Sequence, residues 1–252
     1  MPGAYSVLVV MRGTVQSVFP SGKGNFGITS GGVGPRRYGQ FCPIARALDL
    51  LGERWTLLIT RELLVGPQRY SDLLTHLPGM WSNLLASRLR RLEEAGLVQR
   101  RWLEPPAARF VYELTESGWA LEPAIYELAR FGLGLLDEPG TDVLPHHLLP
   151  VAVKGLLRLE ALPDKFLAVA LALDEGTWTL RIAPAAPTRR PLERVQVEPG
   201  AAADATVTVR GSVLALLARR RGDEAPLPLE IDGPASQVAT VAALFAAAPV
   251  AA

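Results

Sequence analysis

Apolar residues in the first half of the chain recur at helical spacing, and one stretch organises the rest. From Trp81 to Arg101, Leu85, Leu89 and Leu92 fall at i, i+4 and i+7 and predict a helix with one buried stripe. Asn83, Ser87 and Arg90 repeat that spacing on the opposite side, flanked by Arg88 and Arg91. Ser82 is placed to cap the helix, and Gly96 to end it. Upstream, Arg69–His76 predicts a short helix capped by Ser71, joined through Leu77-Pro78-Gly79-Met80. Helix, short Gly-containing turn and second helix form a helix-turn-helix layout. Downstream, Leu97–Trp102 and Phe110–Leu114 predict a hairpin, a wing beside the helix pair.

Two further helices precede this unit. Ile44, Ala47, Leu48 and Leu51 give the first an apolar stripe after Pro43, which suits a helix start. Trp55, Leu58, Ile59 and Leu63 mark the second, over Arg54–Leu64. After the wing, Thr115 opens a helical run. Leu121, Ile125, Leu128, Gly132 and Leu135 then step by four and three, a coiled-coil-like seam. This seam and Leu48 of the first helix are expected to pair two chains.

The period changes beyond a linker at 137–145. Leu167, Val169, Leu171 and Leu173 alternate with alanines, and Trp178, Leu180 and Ile182 alternate with polar residues. Val195–Val197, Ala205–Val209 and Leu229–Ile231 predict three more strands, with helices at Pro145–Ala161, Ser212–Arg220 and Pro234–Ala247. The fold class is therefore α+β: a flexible extension over 1–40, a winged helix-turn-helix at 41–136, the linker, and a mainly antiparallel sheet with packed helices at 146–252.

Charge locates the candidate chemistry. The net charge is +1, but Trp81–Arg109 holds six Arg against three Glu, while 137–252 holds eleven basic and fourteen acidic residues. Guanidinium, amide and hydroxyl groups on one helix face read base edges and hold phosphates. No apolar run reaches the ~18 residues a membrane span needs, and a single cysteine excludes an internal disulfide and suits a reducing cytoplasm. No nucleophile motif, phosphate loop or dinucleotide fingerprint occurs. His146 and His147 are adjacent, so on a helix they diverge and cannot chelate together. No metal, cofactor or enzymatic activity is expected.

The run FCPIARALDLLGERWTLLITRELLVGPQRYSDLLTHLPGMWSNLLASRLRRLEEAGLVQRR, followed by VYELTESGWALEP, resembles the HxlR-type winged helix-turn-helix transcriptional regulators over Phe41–Leu136. It departs from their pattern at Met80-Trp81, where a small pair is expected. The resemblance implies a dimer on a pseudo-palindromic double-stranded operator. Ser82, Asn83, Ser87, Arg90 and Arg91 are the expected major-groove residues, and Ser71 is a further expected DNA-binding residue. Arg88 would hold phosphate or brace the helix, and Arg101 and Arg109 of the wing would touch the backbone or the minor groove. Some such regulators sense oxidants through a cysteine near the position of Cys42, which lies just before the first helix. Residues 149–245 resemble the sterol-carrier-like (SCP2-type) fold. That likeness implies an apolar ligand, with Leu167, Val169, Leu171, Trp178, Leu180 and Ile182 as candidate lining. The competing reading is a hydrophobic-metabolite carrier that uses its winged helix only to dimerise.

Overall fold

The computed structural model describes residues 37–136, 145–186, 191–223 and 229–247. Most of the expected extension and linker, residues 1–36 and 137–144, therefore lies outside the described residues.

Helices α1 (Pro43–Leu51), α2 (Thr56–Leu64), α3 (Tyr70–His76) and α4 (Ser82–Glu94) come first. The antiparallel strands β1 (Val98–Leu103) and β2 (Arg109–Leu114) follow, then α5 (Glu116–Trp119) and α6 (Glu122–Leu133). Ile59, Leu63, Leu73, Leu77, Met80, Leu85, Leu89 and Leu92 bury the facing sides of α2, α3 and α4 together. A bridge between Gln68 and Tyr112 attaches the start of α3 to the wing. Thr115 caps α5 as expected, its hydroxyl accepting from the Gly118 amide at 3.1 Å.

Two expected caps are corrected. The N-cap of α4 is Trp81, which supplies no side-chain bond, and Ser82 is the first helical residue. The N-cap of α3 is Arg69, whose amide is held by the Asp72 carboxylate at 3.3 Å; Ser71 lies inside the helix. The chain enters α4 one residue earlier, and α3 two residues earlier, than a hydroxyl-based reading places it. Tyr70 explains the second entry: its hydroxyl bonds both Ser82 Oγ (2.8 Å) and the Ser82 carbonyl (2.6 Å), clamping α3 to the start of α4.

The second half contains α7 (Leu149–Leu156), β3 (Leu167–Leu173), β4 (Gly176–Ile182), β5 (Val195–Pro199), β6 (Val207–Gly211), α8 (Val213–Arg221), β7 (Glu230–Asp232) and α9 (Ala235–Leu244). The sheet order is β5-β4-β3-β6-β7, antiparallel except for the β3–β6 pair. Ser212 caps α8 by accepting from the Ala215 amide. The two halves share one continuous core, and α6 packs on α7. Tyr126 of α6 lies over Gly155 of α7 so closely that a Cβ there would stand 3.2 Å from the ring. Burial pushes the Tyr126 hydroxyl pKa well above the usual phenol range.

The expected ligand pocket is corrected. Leu167, Val169, Leu171, Leu180 and Ile182 are buried core residues, and Trp178 is half-buried against them. The two cavities described, of about 210 and 50 Å³, are lined by other residues. Alternation of heavy and light side chains is satisfied equally by a lined pocket and by a filled layer. Here the layer is filled.

The expected seam also divides. Ile125 is 8% exposed and belongs to the internal core, with Leu121 packed against it. Leu128 and Leu135 are 52% and 69% exposed, and α6 ends before Leu135. The drift of such a stripe is only about 20° per heptad; the division arises because α7 and the rest of the second half cover one side of α6 and leave Leu128 outside it. Ile44, Leu48 and Phe41 are exposed on and beside α1, and Phe131 on α6.

Candidate nucleic-acid interface

Helix α4 presents its polar side outward because Leu85, Leu89 and Leu92 anchor the other side in the core. Ser82, Asn83, Ser87 and Arg90 are exposed. Asn83 Oδ1 accepts from the Leu84 amide at 2.8 Å, which leaves its amide NH2 group outward as a donor. Arg90 has no hydrogen bond or ion pair with another side chain among the described residues, so its five donors are uncommitted.

The other guanidinium groups of α4 are committed to the protein. Arg88 bonds Glu53 Oε2 at 2.9 Å and the Arg54 carbonyl at 3.4 Å. Arg91 donates to the Asp49 carbonyl and lies 3.6 Å from Glu53 Oε1. Both tie α4 to the end of α1 and the α1–α2 connection. Arg88 braces the helix in this structure. For Arg91 it is a correction: the side chain expected in the groove turns back onto the domain. Periodicity puts Arg88 and Arg91 on one flank, about 100° or more from Arg90, but does not show that the α1–α2 loop covers that flank.

The wing shows a similar division. Arg101 forms a bidentate pair with Glu113, both contacts at 2.8 Å, and this holds the Glu113 carboxyl below the usual range. Glu113 lies diagonally across the hairpin from Arg101, two residues beyond the direct Val111 partner and on the same face, so the pair is a product of register. Arg109, at the start of β2, is exposed with no ion pair among the described residues. Trp102 packs edge-on to Phe110 at 4.9 Å, and Arg100 lies over the Phe110 ring at 3.8 Å. This aromatic–cation stack stiffens the wing, and the sequence reading did not pick it out. Its signal was present, since Trp102 and Phe110 are cross-strand partners.

Ser71 is exposed on α3 near the entry of α4, its hydroxyl 3.4 Å from Asp72 Oδ1. Trp81 is 78% exposed. The residue that fastens the helix entrance to the core is its neighbour Met80, which is buried. Cys42 is half-buried at the N-cap of α1, its carbonyl accepting from the Arg46 amide. No helix among the described residues is long and apolar enough to cross a membrane.

Ser71, Ser82, Asn83, Ser87, Arg90 and Arg109 thus present donors and acceptors outward from α3, α4 and the wing, on a rigid support. Residues 50–139 match the family model for HxlR-like helix-turn-helix proteins. The chain is 35% identical over 104 residues to the uncharacterized HTH-type transcriptional regulator YvaP of Bacillus subtilis. That match spans 41% of the chain and 96% of YvaP. It is likewise 35% identical over 104 residues to the uncharacterized regulator sll1512 of Synechocystis, covering 41% of the chain and 77% of that protein. Against the HTH-type transcriptional regulator YodB of Bacillus subtilis the identity is 35% over 103 residues, covering 40% and 91%.

Proposed function

Because the chain belongs to the HxlR-like helix-turn-helix family and is a DNA-binding transcriptional regulator, we propose that it works as a homodimer on a pseudo-palindromic operator. In this reading α4 enters the major groove, Arg90 and Asn83 read base edges, and Ser71, Ser82 and Ser87 bond phosphates or base edges at the groove entrance. Arg109 contacts the backbone from the wing. The observation that carries the reading is the division of labour on α4: two of its arginines are spent inside the protein, and the outward one is left free.

The dimer rests on the apolar surface left by α1 and α6. Ile44 and Leu48 on α1 and Leu128 and Phe131 on α6 are exposed, and large apolar side chains left bare on a helix face are candidates for a contact surface. A two-fold arrangement sets recognition helices about 34–36 Å apart, one turn of DNA. The test is sedimentation combined with footprinting on the DNA upstream of the gene. A dimer protecting two half-sites is expected, and Leu128→Asp should give a monomer with weakened operator binding. A wild-type monomer protecting one undivided half-site would overturn the dimer. The carrier reading has no comparable support, because its required cavity is filled by Val169, Leu171, Leu180 and Ile182.

A further inference from the structure

Three residues far apart in sequence meet where the helix-turn-helix unit packs on the second half of the chain. Glu62 comes from α2, His76 from the last position of α3, and His147 from the 3-10 turn at His146–Leu148. Glu62 is 0% exposed. Its Oε2 accepts from His147 Nε2 at 2.7 Å and lies 3.6 Å from His76 Nδ1, and the three ligand atoms all fall within 4.8 Å of one another. The two imidazoles stack at 3.7 Å with their planes 19° apart.

We propose that Glu62, His76 and His147 form a binding site for a divalent transition-metal cation of the zinc class, which fastens the helix-turn-helix unit to the second half of the chain. His76 Nδ1 is buried without a hydrogen-bond partner, although a carboxylate oxygen stands just beyond bonding distance. A buried ring nitrogen normally finds a partner, and one left without a partner beside two other ligand atoms is what a metal would use. Two imidazole nitrogens and one carboxylate oxygen suit zinc, cobalt, nickel or copper rather than magnesium or calcium. Zinc bonds these atoms at about 2.0–2.2 Å in a tetrahedron, which sets them about 3.3–3.6 Å apart; His76 Nδ1 and Glu62 Oε2 already stand 3.6 Å apart, and the 2.7 Å hydrogen bond from His147 Nε2 to Glu62 must open by less than about 1 Å.

The surroundings are arranged in the same sense. Arg61 Nη2 holds the other Glu62 oxygen, Oε1, at 2.7 Å, which orients the carboxylate and leaves Oε2 for the site. Such outer bonds fix a ligand's direction. His146 turns the other way, its Nδ1 3.0 Å from the Glu175 carbonyl, and takes no part. On binding, the cation takes the place of the proton that His147 Nε2 shares with Glu62, and that proton leaves to solvent. A water completes the fourth position.

The experiment uses the full chain without a histidine tag, stripped with chelator and then titrated with Zn2+ in excess Mg2+ by calorimetry. One Zn2+ per chain and a raised Tm are expected. His147→Ala and His76→Ala should each weaken binding at least tenfold and abolish the Tm rise, whereas His146→Ala and Cys42→Ser should leave both unchanged. Loading with Co2+ should give the visible absorption of a tetrahedral N/O site, which reports on the wild type even if a variant folds poorly. Absence of binding above the Mg2+ background would overturn the proposal. So would Zn2+ affinity indifferent to His76 and His147, or a Co2+ spectrum with thiolate charge transfer from Cys42.

Discussion

Arg90→Ala and Arg91→Ala remove the same group from adjacent positions, and the structure assigns them opposite consequences. Arg90 points to solvent with no partner among the described residues, so its loss should leave stability within about 0.5 kcal/mol of the parent. On DNA, a bidentate guanidinium-to-guanine contact discriminates by about 1–3 kcal/mol, or about 5- to 150-fold in operator affinity. Arg91 donates to the Asp49 carbonyl and approaches Glu53, with its side chain 21% exposed. A hydrogen bond involving a charged group contributes about 1.5–3 kcal/mol; partial solvent screening reduces that to about 1 kcal/mol of stability here. Arg91→Ala should therefore lower Tm while keeping the preference for operator over scrambled DNA. Fluorescence anisotropy on both DNAs, with thermal melts of both variants, separates the two effects. If Arg91→Ala lost sequence preference and Arg90→Ala did not, the assignment of the outward face would be wrong.

Arg109→Ala should weaken binding to all sequences alike and reduce the slope of log K against log salt by about 0.9, the signature of one lost phosphate contact; an unchanged slope in a salt series would remove the wing from the interface. Arg101→Ala should raise the Glu113 carboxyl pKa in an NMR titration, because the Arg101 hydrogen bond is the largest cause holding it down. With the pair intact, the folded-state pKa of Glu113 is depressed, so its contribution to wing stability is present above the ordinary carboxylate pKa and lost as pH falls through the lower folded value. Gly155→Val should cost about 1–3 kcal/mol in denaturant unfolding, because its side chain must displace the Tyr126 ring now 3.2 Å from the ideal Cβ position; an unaffected midpoint would show that α6 and α7 separate freely. Oxidant or quinone should release the wild type from its operator while Cys42→Ser stays bound, since modification at the N-cap of α1 presses on the surface proposed to pair two chains. Wild-type binding that survives diamide would exclude the sensor.

Much of the interface was legible in the sequence because its signals are local. The Leu85–Leu89–Leu92 stripe, the glycine-containing turn and the alternating wing strands each depend on residues within a few positions of one another. They sufficed to place Asn83, Ser87 and Arg90 outward and to put the five strands of the second half at nearly their observed positions. Tertiary structure decided whatever depends on which neighbour stands across a gap. The α1–α2 connection claims Arg91 and Arg88 but spares Arg90. The second half of the chain arrives over one side of α6, so Ile125 is sealed in while Leu128, one helical turn on, stays bare. The sheet face reads identically whether it lines a cavity or fills one, and only packing distinguishes the two. Glu62, His76 and His147 carry no motif, since their spacing along the chain has no period. They meet because α2, the end of α3 and the 3-10 turn before α7 pack at one junction. Local periodicity determines which face of an element is apolar; the partner that covers it, and the groups that partner brings, are set by contacts distant in sequence.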